Sequence, residues 1–102
     1  MTLNLFGVNF KVQPTTIVSG EQTLGCIMND QAIIEINPEF PYQVQSRALL
    51  HELIHSVLHQ SGLHELFEKN KIDLDSVINI ISKGLYDIFQ INQKELKQVF
   101  FP

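Results

Sequence analysis

The chain is 102 residues long, 44% hydrophobic and 18% charged, with a net charge of −4. These values exclude a disordered chain, a two-domain enzyme and a protein with a global basic footprint for nucleic acid; they predict one domain spanning 1–102 with a single core. No apolar run exceeds three residues, whereas a transmembrane helix needs about 20, so no membrane span is expected.

The N-terminal stretch Met1 to Gly7 has neither a basic region nor a long apolar one, and no secretory signal is expected. Cys26 is the single cysteine and cannot form an internal disulfide, which makes a reducing, cytoplasmic setting the default. In chain order, Leu3–Phe6 and Val8–Val12 flank Gly7, and Gly20 marks a further turn. Val8, Phe10 and Val12 alternate with Asn9 and Lys11, the period of a strand with one buried face. Thr23–Met28 and Gln31–Ile36 flank Asn29-Asp30 and read as a hairpin, because Asn and Asp tolerate the positive φ of tight turns. Ala32, Ile34 and Ile36 share one face; Ile33 and Glu35 share the other. A small, largely antiparallel sheet of three or four strands is expected.

Pro38 and Pro41 break the pattern, since neither can donate a ladder bond. A helix is expected from Pro41 or Tyr42 to about Gln60, stopped by Ser61-Gly62, where Gly takes the left-handed cap. A connector with some helix covers 63–71. A second long helix begins at Asp73 or Leu74 and ends at about Ile91, before Asn92, and a short helix follows over 93–100. The fold class is therefore α+β.

The chemistry lies in Leu50-His51-Glu52-Leu53-Ile54-His55, which places His-Glu-x-x-His on the first helix. At about 100° per residue, His51, His55 and Glu52 fall at about 0°, 40° and 100°, while Leu50, Leu53, Ile54, Val57 and Leu58 occupy the arc expected to face the core. Residues four apart are one turn apart, so both imidazoles can reach one ion. Neutral imidazole is a good zinc ligand, and catalytic zinc takes three protein ligands plus water. Glu52 sits beside them, able to take a proton from water at the metal and return it to a leaving amine. With four His and seven Glu in the chain, chance supplies roughly 0.01 such motifs. The bland alternative is a helix with two solvated histidines and an unrelated glutamate.

Two histidines do not complete a site. His59 is about 12 Å along the helix axis from His51, too far for the same ion. His64 lies past Gly62 and can fold back, and Glu65 and Glu68 sit in the connector. On the second helix Asp75 borders the face expected to be buried (Val77, Ile78, Ile81, Leu85, Ile88 and Phe89), whereas Asp73 points away. Asp75 is the leading third ligand; it could instead only favour the positive end of the helix dipole. His64, Glu65, Glu68 or water alone remain open alternatives.

With these residues in place, the chain resembles a zincin metallopeptidase of gluzincin type, and more narrowly the compact ImmA/IrrE-type relatives associated with phages and mobile elements. The likeness runs over nearly the whole chain: an aromatic-Gly turn, Leu24-Gly25, Ile33-Ile34-Glu35-Ile36, Leu49 through Ser56, and Gly84-Leu85-Tyr86. It implies a short sheet before the active-site helix, a later helix that supplies an acidic third ligand, and zinc as cofactor. That ligand is usually Glu. Asp75 follows His55 by 20 residues, a spacing similar to that of thermolysin-like enzymes, on a side chain one methylene shorter. The resemblance implies a zinc endopeptidase with Glu52 as general base and then acid, acting on a protein or peptide laid along an edge strand, for which Gln31–Ile36 is the candidate. Two rivals stand beside it: a zinc-binding regulatory module that cleaves little, and an α+β interaction domain with an accidental motif. No nucleic-acid partner is expected, because Lys69 and Lys71 form the sole local basic pair. Substrate specificity and oligomeric state are not legible.

Overall fold

A computed structural model describes residues 1–16 and 24–102. Its elements are β1 (Thr2–Leu5), β2 (Val8–Pro14), β3 (Gly25–Met28), β4 (Ile33–Ile36), α1 (Tyr42–Ser61), α2 (Leu63–Lys69), α3 (Leu74–Ile91) and α4 (Gln93–Phe100). The architecture is α+β: a four-stranded mixed sheet followed by four helices. The Gly20 turn and Thr23, at the expected start of the third strand, lie outside the described residues.

The β1–β2 hairpin turns through Phe6 and Gly7, whose φ values of 57° and 86° meet the requirement of a two-residue hairpin turn for positive φ at both positions. Asn4 steadies it: its Oδ1 accepts from the Gly7 N–H at 3.0 Å, and its Nδ2 donates to Asn9 Oδ1 at 3.0 Å. The β3–β4 hairpin forms as expected, with Cys26 opposite Glu35 and Ile27 opposite Ile34. Its turn differs from the expected one. The residue that takes positive φ is Ala32, at 55°, and its N–H reaches Asn29 O at 3.4 Å. The loop thus spans four residues rather than two.

The sheet order is β1-β2-β4-β3, with β2 and β4 parallel and the other pairs antiparallel. The sheet has four strands, within the expected three or four, and is antiparallel in two of its three pairings; the third is parallel, because the second hairpin docks by its second strand onto β2, with Val12 beside Ile34. The Gln31–Ile36 segment, expected to be an edge strand, is interior: its core, β4, is paired on both sides, and β3 is the outermost strand beside α1 among the described residues.

The core is Phe10, Ile34, Ile36 and Ala48, with Leu49 and Leu53 packed against it. Burial of a side chain such as Ile34, fully enclosed here, contributes about 1.5–3 kcal/mol. Asn37 guides the chain from β4 into α1: it is almost fully buried, donates through Nδ2 to Thr16 O at 3.2 Å and accepts at Oδ1 from the Glu39 N–H at 3.0 Å. Gln45 then ties the first turns of α1 back to Phe40 O at 2.8 Å and Pro38 O at 3.3 Å. Gly62 closes α1 with φ 81°, and Asp73 caps α3 by accepting from the Ser76 N–H at 3.3 Å.

The buried faces of both long helices differ from the expected arcs. On α1 the buried line is Ala48, Glu52 and Ser56, while Val57 is exposed. On α3 it is Ile78, Ser82 and Tyr86, while Ile81, Ile88 and Phe89 are exposed. The cause is that α1 packs between the β3–β4 side of the sheet and α3, with α2 against its C-terminal part as well. Its most enclosed residues are the small and polar ones in the seam between them, and small residues on the facing lines let the helices approach closely. No helix among the described residues is long and apolar enough to cross a membrane.

Candidate metal centre

His51 and His55 project from the middle of α1, one turn apart, toward the N-terminal turn of α3, where Asp75 stands. The two helices run antiparallel across this contact: His55 meets Asp75 near the start of α3, and Arg47, two turns earlier on α1, lies over the Tyr86 ring at 5.3 Å. His55 Nε2 is 3.1 Å from His51 Nε2 and 3.0 Å from Asp75 Oδ1, and His51 Nε2 is 3.5 Å from the same oxygen. Four ligands held at about 2.05 Å around a tetrahedral zinc lie about 3.3 Å apart. The three atoms therefore form a triangle of the size that one face of such a tetrahedron requires, and their chemistry, two imidazole nitrogens and a carboxylate oxygen, suits that ion. His51, His55 and Asp75 lie close enough to hold one metal ion. Both rings are mostly enclosed and the Asp75 side chain is 74% exposed, so the centre is walled by the histidines and open toward solvent on the aspartate side.

The protonation states favour ligation. Burial pushes the His55 pKa below its ordinary value; the hydrogen bond to Asp75 pulls the other way, and His51 and His64 lower it further. A neutral imidazole is the form that binds a metal. His64 offers a partner to the other ring nitrogen of His55. Its Nε2 lies 3.2 Å from His55 Nδ1, on the ring edge turned away from the centre. With its proton on Nδ1, His55 donates to His64 and turns the Nε2 lone pair toward the ligand triangle. With its proton on Nε2, it donates to Asp75 instead, and no metal can bind there. His64 has thus folded back as one alternative expected, but it stands behind His55 rather than among the ligand atoms. Glu65 and Glu68 are exposed on α2 and belong to no metal-sized cluster among the described residues. His59 is also exposed, its ring 6.1 Å from that of His64.

Glu52 is only 6% exposed. Burial, reinforced by the negative charge of Asp75, raises its pKa from 4.5 to about 7. It borders a cavity of about 610 Å³ between β3, α1 and α3, whose wall also includes Leu24, Gly25, His51, Asn79 and Ser82. Gly25 is needed in that wall: a Cβ there would lie 3.1 Å from Glu35 O and 3.1 Å from the Ile36 side chain. Arg47 and Lys83 border the same cavity. Sequence reasoning passed over both, although Arg47 sits one turn before His51 on the helix and could have been placed beside the motif from spacing alone.

In comparisons with family models, with curated proteins and with solved structures, the chain has no match in any of the three. The site is accordingly read from its own chemistry.

Proposed function

We propose that the protein is a zinc-dependent metalloendopeptidase of minimal size, of the gluzincin-like type that its sequence resembles. The observation that carries this reading is the convergence of His51, His55 and Asp75 ligand atoms at 3.0–3.5 Å beside a buried carboxyl group, Glu52, at the wall of a cavity large enough for a peptide segment. Zinc bound by these three residues supplies a Lewis acid that polarises a peptide carbonyl and acidifies water.

The chain's own groups do the remainder. Glu52 is a buried carboxyl group beside the ligand residues, placed to act as general base and then acid. It accepts a proton from the attacking water and delivers it to the amine nitrogen as the C–N bond breaks. Its burial keeps competing bulk water from the proton it carries. β3 (Gly25–Met28), the outermost strand on this side of the sheet among the described residues, borders the cavity and is the place along which an extended substrate lies. This replaces the interior segment around β4 as the place for the substrate backbone. The lone thiol of Cys26 fits a cytoplasmic setting, and the resemblance to phage-associated enzymes fits a protein substrate there.

Zinc titration of metal-free protein tests the centre. Stoichiometric binding lost in His51→Ala and weakened in Asp75→Ala is expected; unchanged binding in His51→Ala overturns it. Cleavage of unfolded proteins tests the chemistry, with turnover expected to vanish in Glu52→Gln. A second reading, a zinc-binding regulatory module with little turnover, draws on the exposure of Asp75, whose side chain is 74% accessible and is shorter than the usual Glu. Tight zinc binding without cleavage by the wild type favours it.

A further inference from the structure

The cavity beside the metal centre has a charge pattern that the peptidase chemistry does not use. The chain carries seven cationic side chains, one of them an arginine. That arginine and one of the lysines, Arg47 and Lys83, both border this cavity. The ion pairs among the described residues are those of His51 and His55 with Asp75, so neither cation is neutralised by a carboxylate there. Arg47 is also held in place: its guanidinium lies 5.3 Å from the centroid of the Tyr86 ring, which is buried. A planar cation stacked on an aromatic face keeps its outward N–H groups for a second partner.

The placement has a register. Arg47 and His51 stand one turn apart on α1, about 6 Å. On the antiparallel α3, Asp75, Asn79 and Lys83 follow at successive turns, which puts Lys83 about 12 Å along the helix from Asp75. The cavity between these stripes is bordered by His51 and Glu52 toward the metal centre and by Arg47 and Lys83 beyond them. An extended peptide advances about 3.3 Å per residue, so these spans of about 6 and 12 Å correspond to about two to four residues.

We infer that Arg47 and Lys83 form an anion subsite that selects peptides bearing a carboxylate about two to four residues from the scissile bond. The carboxylate comes from an acidic side chain or from the C-terminus; the chemistry recognised is the same. This inference rests on the proposed peptidase reading for its register, but the binding it asserts can be measured without turnover.

The test uses the full chain carrying Glu52→Gln, loaded with zinc, and three fluorescent decapeptides read by anisotropy. The first has one internal Glu and an amidated C-terminus, the second has no acidic residue and an amidated C-terminus, and the third has no acidic residue and a free C-terminal carboxylate. The first or the third is expected to bind about tenfold more tightly than the second, and which one gains identifies the source of the carboxylate. Adding Arg47→Ala or Lys83→Ala is expected to lower that affinity about threefold each, and the pair together about tenfold. The preference should also shrink as salt rises. Equal behaviour of all three peptides, or a carboxylate preference that survives in the double variant, overturns the inference. Both cations are exposed, so circular dichroism is expected to report an unchanged fold in these variants. Failure of the wild type to cut any of the peptides counts against the peptidase reading alone and leaves the binding comparison decisive for the subsite.

Discussion

Replacing Glu52 with Gln should stabilise the metal-free protein, and by an amount that depends on pH. Glu52 is buried in the seam between the sheet and α3, and its pKa stands at about 7 against an ordinary 4.5. Between those values the folded chain keeps a proton that the unfolded chain has released. The unfolded state therefore binds fewer protons, and stability falls as pH rises through the window, levelling off above it. At 1.36 kcal/mol per pKa unit the full difference is about 3 kcal/mol. At pH 5 about 1 kcal/mol of it has already been lost, so the advantage of Glu52→Gln over wild type should widen by about 2 kcal/mol between pH 5 and pH 8. Gln keeps the shape and does not titrate, so the comparison cancels the other ionisable groups to first order. Urea unfolding in the presence of a chelator, at several pH values, measures it. A gap that is flat across this range, or a Gln variant less stable than wild type at pH 8, would refute the claim that desolvation dominates at this carboxyl.

Three further outcomes are expected. His64→Ala should weaken zinc binding by about 10- to 100-fold, because His55 loses the partner that holds its Nδ1 proton; calorimetric titration with zinc checks this, and unchanged affinity would mean that the His55–His64 contact has no bearing on the centre. Gly25→Val should cost about 1–3 kcal/mol by urea unfolding, since its Cβ would press on Glu35 O and the Ile36 side chain at 3.1 Å, and a backbone oxygen in a paired strand cannot swing aside. Lys71→Gly should gain about 1 kcal/mol in the same assay, because Lys71 has φ 56° in the turn that ends α2, where its N–H bonds Glu68 O and that of Ile72 bonds Phe67 O, a position that favours glycine.

The helices were legible because their limits are local. Pro41 before Tyr42, Gly62 after Ser61, and Asp73 capping Ser76 are signals carried by neighbouring residues, and each marks a helix boundary. The hairpins were legible for the same reason, although the positive φ went to Ala32 and not to Asn29 or Asp30. The parallel pairing of β2 with β4 was not legible, because it joins segments about 20 residues apart, and either strand of the second hairpin satisfies the alternation pattern. The buried lines of α1 and α3 were misjudged for a related reason. Hydrophobic phase identifies the most apolar arc, whereas α1 lies between the sheet and α3 and encloses its small and polar seam most deeply. The nearness of His51 and His55 followed from their spacing, whereas Asp75 was one of several candidates until the packing of α3 on α1 brought it to them. The contact behind His55 was not legible, because the direction taken after Gly62 is decided by how α2 packs and not by the residues at the turn.

The ligand triangle is drawn from two separate helices, and α3 contributes only Asp75 to it. An ion held there is a clasp across the α1–α3 seam, placed where the buried line of α3 is short and much of its apolar face is open to solvent. Its binding free energy is then shared by the whole helical half, growing with the logarithm of free metal. An ion bound there would tie α3 to α1, and its removal would loosen the contact that keeps Ile78 fully buried.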